Sequence, residues 1–398
     1  MDSLVLGLTG SFGSGCGTVA QYLAKKGFAI FSLANPIKIE GKRRGYPALT
    51  RRDSQNIGDE LRKSNGEQHL ASLTILEIEN VPSAKSGKRK RPSRIVVKSI
   101  RNQQEARTLR GQYPNFFLIN IDASKQVRWE RVLHDKEYTN IKDFEIDDQR
   151  DSGENEPLHG QHVARCVDQA DLVINNTSTT QDLTQKVDDY LARIENPDDY
   201  SPTPMEIGMS HAWTQAKRST CLKRKVGAAI MDLKSNVASS GFNDVPQGTA
   251  TCASIQACRR DLRRSCLTCS KGNRRKIRIQ CILSECPNCG TQPELEQYRE
   301  ISKALDLCRA VHAEERAILQ LGRRGSEAVL NNGAVLYTTT FPCLLCAKKI
   351  IEIGLREVVY VEPYPSPEAW RMLEEAKVEL KKFEGIKARA FERVYDRT

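Results

Sequence analysis

Two short motifs, in a fixed order and each opening a helical pattern, restrict the last third of this chain more than anything else in it. His312-Ala313-Glu314 is followed by the apolar run GAVLYTT (residues 333–339), then by Pro342-Cys343-Leu344-Leu345-Cys346 and a second apolar run, REVVYVE (residues 356–362). One imidazole and two thiolates are three donors of a tetrahedral zinc site whose fourth position stays open. Either motif alone is commonly a core histidine or half of a structural zinc site. Together, with strand-like runs after each helix start, they point to a catalytic metal centre ligated by His312, Cys343 and Cys346. Zinc lowers the pKa of a bound water toward about 7, which makes hydroxide available at neutral pH. Glu314, two residues from His312, is the candidate general acid and base. Pro342 at a helix start leaves the two thiolates near the positive helix end, which favours their ionised form.

This pairing is similar to the H-x-E and P-C-x-x-C signature of the zinc nucleobase deaminases, in which water displaces the amine at carbon 4 of cytosine. Upstream, RSTCLKRKVGAAI (residues 218–230) and SSGFNDVPQGTATC (residues 239–252), and downstream EAWRMLEEAKVELKKF (residues 368–383), resemble the deoxycytidylate deaminase family. That resemblance covers most of residues 206–385. It implies a sugar contact for Asn243, and it makes Lys223, Arg224 and Lys225 candidate phosphate contacts. It also implies self-assembly into a homo-oligomer. Two positions depart from the family pattern: Asp244 stands where glycine is usual, and Arg316 where asparagine is frequent. Asp244 would repel a nearby phosphate, whereas Arg316 would reach a longer phosphate chain, so dCTP stands beside dCMP as the expected substrate.

At the other end, the apolar run SLVLGLT (residues 3–9) leads into GSFGSGCGT and then a helical pattern near Thr18. Strand, glycine-rich turn and helix is the arrangement that cradles phosphate on backbone N–H groups. The expected contacts are Gly10, Gly13, Ser14, Gly15, Cys16, Gly17 and Thr18, with Mg2+ accompanying the nucleotide. The loop lacks the lysine of a Walker sequence, since Gly15, Cys16, Gly17 and Thr18 fill the last positions. With RRDSQNIGDELR (51–62), RIVVKSIRNQQEARTLR (94–110), FFLINIDASKQVRWERV (116–132) and ADLVINN (170–176), residues 1–195 resemble the nucleoside monophosphate and dephospho-coenzyme A kinases. Where such kinases often end a strand in aspartate, this chain has Val97, Lys98 and Ser99. Nucleotide binding by a sensor is expected here rather than phosphoryl transfer. The fusion resembles bacterial anti-phage cytidine deaminases, which implies depletion of the dCTP and dCMP pool.

The expected architecture is therefore α/β: a P-loop kinase-like three-layer domain (1–195), a linker (196–205), a cytidine-deaminase-like α/β/α domain (206–385) and a C-terminal tail (386–398). Thirteen cysteines in a chain without a signal-like leader or an apolar run long enough for a bilayer suggest a cytoplasmic, reduced protein that uses thiols for metal. Cys266-x-x-Cys269 and Cys286-x-x-Cys289 have zinc-ribbon spacing, and a structural zinc there would fold the insertion 262–292. Cys252, Cys258 and Cys308 are candidates for a third zinc. The net charge of +11, the tract SAKSGKRKRPSR (residues 83–94) and the arginines of the insertion suit an anionic partner. Competing readings are an RNA or single-stranded DNA deaminase and a nucleotide- or RNA-binding regulator, with RNA a possible regulator in its own right.

Overall fold

The computed structural model describes residues 3–81, 91–153, 156–256, 258, 262–265, 278–279, 294–297, 308–323, 333–364 and 366–395. Cys266, Cys269, Cys286 and Cys289, the expected structural zinc ligands, lie outside the described residues, as do residues 83–90 of the basic tract. The chain divides into two compact units: Met1–Thr203 with Glu384–Thr398, and Pro204–Phe383.

Unit 1 runs β1 (Leu4–Thr9), α1 (Cys16–Lys25), β2 (Ala29–Ser32), α2 (Ala34–Arg43), α3 (Arg51–Asn65), α4 (His69–Glu79), β3 (Arg94–Lys98), α5 (Gln103–Gln112), β4 (Phe116–Asp122), α6 (Lys125–His134), α7 (Ile141–Ser152), α8 (Val163–Gln169), β5 (Leu172–Asn175) and α9 (Thr180–Glu195). Strands β5, β4, β1, β3 and β2 lie side by side and all parallel. Side chains on a strand alternate between faces, and here both faces are buried. Leu4, Leu6 and Leu8 join Val96, Phe117 and Ile119 in one core, while Val5 joins Ile95, Val97 and Leu118 in the other. Helices therefore cover both sides, giving three layers. Helix starts follow their caps: Thr50 and Asn102 form capping boxes with Asp53 and Glu105, and Ser124 and Thr179 accept from Val127 and Asp182 N–H groups.

Unit 2 runs α10 (Pro204–Ala216), β6 (Gly227–Asp232), β7 (Val237–Phe242), β8 (Leu262–Ser265), β9 (Arg278–Ile279), β10 (Glu294–Gln297), α11 (Ala313–Arg323), β11 (Ala334–Thr340), α12 (Leu344–Glu352), β12 (Glu357–Glu362), α13 (Pro367–Glu375) and β13 (Glu379–Lys382). Its main sheet has the order β13-β12-β11-β6-β7, parallel from β13 to β11 and antiparallel from β11 to β7. Ala313, Ala317 and Leu321 of α11, Ala347 and Ile350 of α12, and Ala369 and Leu373 of α13 share a core with Ala228, Ile230, Leu336 and Val358 of the sheet. α10 packs on the other face, where a Cβ on Gly208 would strike the ring of Tyr337. The insertion's described strands β8 and β9, with β10 just beyond it, form a separate antiparallel sheet, β10-β8-β9.

The last segment departs from expectation. Instead of forming a tail, it returns to unit 1 as β14 (Gly385–Ile386), antiparallel to β5, and α14 (Phe391–Tyr395). The reason is composition. Ile386, Ala390 and Val394 are fully buried in the core that holds Leu172 and Leu191. The buried carboxylate of Asp171 accepts from Arg393 at 2.6 Å, Arg110 at 2.7 Å and the Leu118 N–H at 2.8 Å. Unit 2 is thus inserted into unit 1, and the chain passes between them twice.

Candidate active site

The start of α11 is set by a close approach of backbones. A Cβ on Gly241 of β7 would collide with the Ala313 carbonyl and come within 2.6 Å of the Ala317 nitrogen, so glycine there lets α11 lie directly on the strand. Val311 exchanges hydrogen bonds with Asp244, Asp244 N–H to Val311 O at 3.2 Å and Val311 N–H to Asp244 O at 2.9 Å, which fixes the residue before His312. Cys343 caps α12 and Cys346 lies in its first turn, both presented by the buried strand β11.

These constraints bring His312, Cys343 and Cys346 together, with their ligand atoms all within 4.8 Å of one another. His312 Nδ1 is 3.2 Å from Cys343 Sγ and 3.4 Å from Cys346 Sγ. Bond lengths of about 2.0 Å to nitrogen and 2.3 Å to sulfur put the N···S edge of a zinc tetrahedron near roughly 3.5 Å, so this donor set fits zinc. Hydrogen bonding from Cys346 holds the Cys343 thiol down at about 4, while its own thiol is pushed well up by that bond and by burial. The Cys343 bond raises His312. A cation among the three replaces this sharing of protons with two thiolates.

Glu314 is 4% exposed, and burial pushes its carboxyl up from the ordinary range. Its Oε2 lies 3.6 Å from Cys346 Sγ and its Oε1 3.4 Å from the hydroxyl of buried Thr338, which donates to Thr340 O at 2.9 Å. Thr338 carries no functional signal in the sequence, because a threonine in a strand reads as β propensity alone. All but Cys346 of the metal and acid groups line a cavity of about 130 Å3 together with Lys223, Arg224, Asn243, Phe341 and Tyr364.

Other expected contacts are arranged differently. Asn243 lines the cavity, but its Oδ1 accepts from Val226 N–H at 2.7 Å and its Nδ2 donates to Arg224 O at 2.9 Å, so it shapes the loop carrying Lys223 and Arg224. Lys225 is not among the lining residues. Asp244 also lines the cavity, with its carboxylate engaged: it accepts from Thr220 N–H, the Thr220 hydroxyl and Val245 N–H at 2.8–3.0 Å. Arg316 does not reach toward the cavity. It stacks 4.8 Å from the Phe242 ring and donates to the carbonyl of Asp244, which also accepts from Val311 N–H, and to the carbonyl of Val245. Cys252, Cys258 and Cys308 line the same cavity. Among the described residues, however, only His312, Cys343 and Cys346 form a group of three metal-ligating side chains this close.

In unit 1 the glycine-rich turn has the form expected of an anion cradle. Gly10, Gly13 and Gly15 have φ of 145°, 78° and 108°, a region that L side chains avoid. Arg128 donates to Phe12 O, Arg131 to Gly13 O and Ser14 O, and Asn176 Nδ2 to Ser14 O, which ties down the carbonyls of the turn. No described residue accepts from the N–H groups of Gly13, Gly15, Cys16, Gly17 or Thr18. They face a cavity of about 660 Å3 whose lining includes Ser14, Lys98, Arg101 and Arg131. Cys16, in place of a reaching lysine, turns back to Thr9 O at 3.3 Å.

Residues 203–362 match the family described as cytidine and deoxycytidylate deaminase zinc-binding region. The chain is 28% identical over 360 residues to a deoxycytidylate deaminase of Schizosaccharomyces pombe, covering 90% of each. It is 31% identical over 157 residues to a deoxycytidylate deaminase of Mycobacterium phage D29, covering 39% of this chain and 91% of that one. A UPF0200 protein of Pyrococcus horikoshii is 24% identical over 193 residues, 48% of this chain and 97% of the other. Among the described residues no helix is long and apolar enough to cross a membrane. With a relative matched over nearly its whole length and the zinc-binding motif folded into one cluster, the chain belongs to the deoxycytidylate deaminase family.

Proposed function

We propose that unit 2 hydrolyses the exocyclic amine of a cytosine deoxynucleotide, dCMP first, releasing ammonia and the uracil nucleotide. The observation that carries this is Glu314, buried beside the His312, Cys343 and Cys346 cluster at a cavity that also holds Lys223 and Arg224. Bound zinc supplies an activated water at neutral pH. Glu314 would take one proton of the attacking water to the ring nitrogen, where it stays, and then pass the proton of the hydroxyl now on carbon 4 to the departing amine, and its burial suits a carboxyl that must alternate between both states. Phe341, stacked 4.9 Å from Trp370 and edge-on to Tyr360, offers an apolar wall for the base. Lys223 and Arg224 meet the phosphate.

The case for dCTP weakens because Arg316 is committed to two carbonyls. A role in draining the dCTP and dCMP pool against phage rests on the two-unit architecture alone. Unit 1 reads as a nucleotide sensor, supported by its open N–H groups and its lack of a reaching lysine.

Purified protein is incubated with deoxycytidine, dCMP, dCTP, CTP and a cytosine-containing oligonucleotide, and uracil formation is followed by chromatography beside Glu314→Ala. Conversion of dCMP, lost in the variant, supports the reading. Conversion confined to dCTP would move the substrate, and conversion confined to the oligonucleotide would replace the reading with nucleic-acid editing.

A further inference from the structure

Thr338 lies in β11 between β6 and β12, paired with Ala228 on one side and Tyr360 on the other, and is fully buried. Two ladders hold its backbone, and branching at Cβ restricts its side-chain torsion. Alternation along the strand puts Leu336, Thr338 and Thr340 on one face. Leu336 shares a core with Ala313 and Ala317 of α11, and Thr340 lines the active-site cavity. Thr338 therefore brings a hydroxyl to the strand face that α11 covers, at the point where α11 presents Glu314.

Among the described side chains, two groups with a hydrogen to give lie against the Glu314 carboxyl. The Thr338 hydroxyl is 3.4 Å from Oε1, and the Cys346 thiol is 3.6 Å from Oε2. The thiol cannot keep that role once it ligates metal, because a metal-bound cysteine is a thiolate with no hydrogen. The hydroxyl remains. Its one hydrogen has two acceptors in reach, Thr340 O at 2.9 Å and Glu314 Oε1, and a hydroxyl turns about its C–O bond to suit either. An ionised carboxylate is the stronger acceptor of the two.

We propose that Thr338 is a positioning residue for the hydrolysis: its hydroxyl holds Oε1 of Glu314, which fixes the plane of the carboxyl and leaves Oε2, the oxygen on the Cys346 side, to exchange protons. Because the proton travels on Oε2, Oε1 accepts from Thr338 whether the carboxyl is charged or neutral. The proposal rests on the reading of Glu314 as the acid-base residue, and it names what keeps that carboxyl in one orientation while it gains and loses a proton.

The test compares dCMP turnover of the zinc-loaded full chain in the wild type, Thr338→Val, Thr338→Ser, Glu314→Gln and the double variant Thr338→Val with Glu314→Gln, with zinc content measured by atomic absorption. Valine copies the shape of threonine without the hydroxyl. Thr338→Val should lower kcat by about 10- to 100-fold, the worth of a hydrogen bond to a charged group, with KM within about twofold and zinc content unchanged. Thr338→Ser, which keeps the hydroxyl, should stay within about threefold of the wild type. In the double variant the valine should cost nothing beyond Glu314→Gln, since the proton traffic it positions is already gone. An unchanged kcat in Thr338→Val beside a disabled Glu314→Gln overturns the proposal. So does Thr338→Ser as slow as Thr338→Val, or a double variant that loses the full product of both effects, because the threonine then serves the strand through Thr340 O. If Thr338→Val does not fold or hold zinc, Thr338→Ala beside Thr338→Ser reads the same difference. Near-wild-type turnover by Glu314→Gln would remove the reading of Glu314 itself, and this proposal with it.

Discussion

Phe383 and Ile386 are near neighbours in the chain but belong to different units. Phe383 is 1% exposed, meets Trp213 edge-on at 5.1 Å and donates its N–H to Tyr360 O within unit 2. Ile386 is also 1% exposed and lies in the core formed by Leu172, Leu183 and Leu191 of unit 1. Ile386→Ala removes three carbon groups at about 0.8 kcal/mol each, and incomplete collapse of the space left behind raises the total to about 3 kcal/mol. At 1.4 kcal/mol per decade that is roughly a hundredfold in the folding equilibrium of the unit concerned. Amide hydrogen exchange reads this locally. Protection should fall about a hundredfold in Leu172–Asn175 and Thr180–Glu195 for Ile386→Ala, with dCMP turnover at 25 °C unchanged. Phe383→Ala, expected to cost about 3–5 kcal/mol, should instead loosen Glu357–Glu362 and reduce turnover. Accelerated exchange in Glu357–Glu362 for Ile386→Ala, with Leu172–Asn175 unmoved, would refute the assignment of the terminal segment to unit 1.

Glu314→Gln keeps the side chain's shape but removes its proton traffic, so kcat should drop by about 10²- to 10⁴-fold while zinc content, measured by atomic absorption, stays at the wild-type level. Cys343→Ser should lose both turnover and the cobalt-thiolate absorption of cobalt-substituted protein, since a serine hydroxyl stays protonated at neutral pH and is a poor replacement for a thiolate ligand. Gly241→Ala forces a Cβ against the Ala313 carbonyl and shifts the start of α11. Turnover should fall further than melting temperature, measured by scanning calorimetry, would predict. Arg316→Met removes the donor to Val245 O and one of the two donors to Asp244 O, which keeps the Val311 N–H. It should lower stability to urea by about 1–2 kcal/mol and leave the ratio of kcat/KM values for dCTP and dCMP unchanged. A selective loss on dCTP would restore Arg316 as a phosphate contact.

Much of the site was legible because its signal is local. His312-Ala313-Glu314 and Pro342-Cys343-x-x-Cys346 each begin a helix, and a helix start presents neighbouring side chains in one direction whatever the rest of the chain does. The glycine-rich turn was legible for the same reason, since positive φ at Gly10, Gly13 and Gly15 is a property of the residues themselves. Arg316 misled because an arginine near a substrate loop looks like an anion contact. Its partners, the carbonyls of Asp244 and Val245, come from a segment some seventy residues away in the chain.

The sequence by itself determined the three-layer α/β pattern of unit 1, the candidate zinc donors and the proposed general acid-base residue of unit 2, because periodicity, turn chemistry and ligand spacing are written in consecutive residues. Only the tertiary structure decided that the final segment closes the core of unit 1 and that Asp244 and Arg316 serve the backbone. Those outcomes depend on which distant groups satisfy one another once buried, and burial is a property of the folded chain, not of any stretch of it.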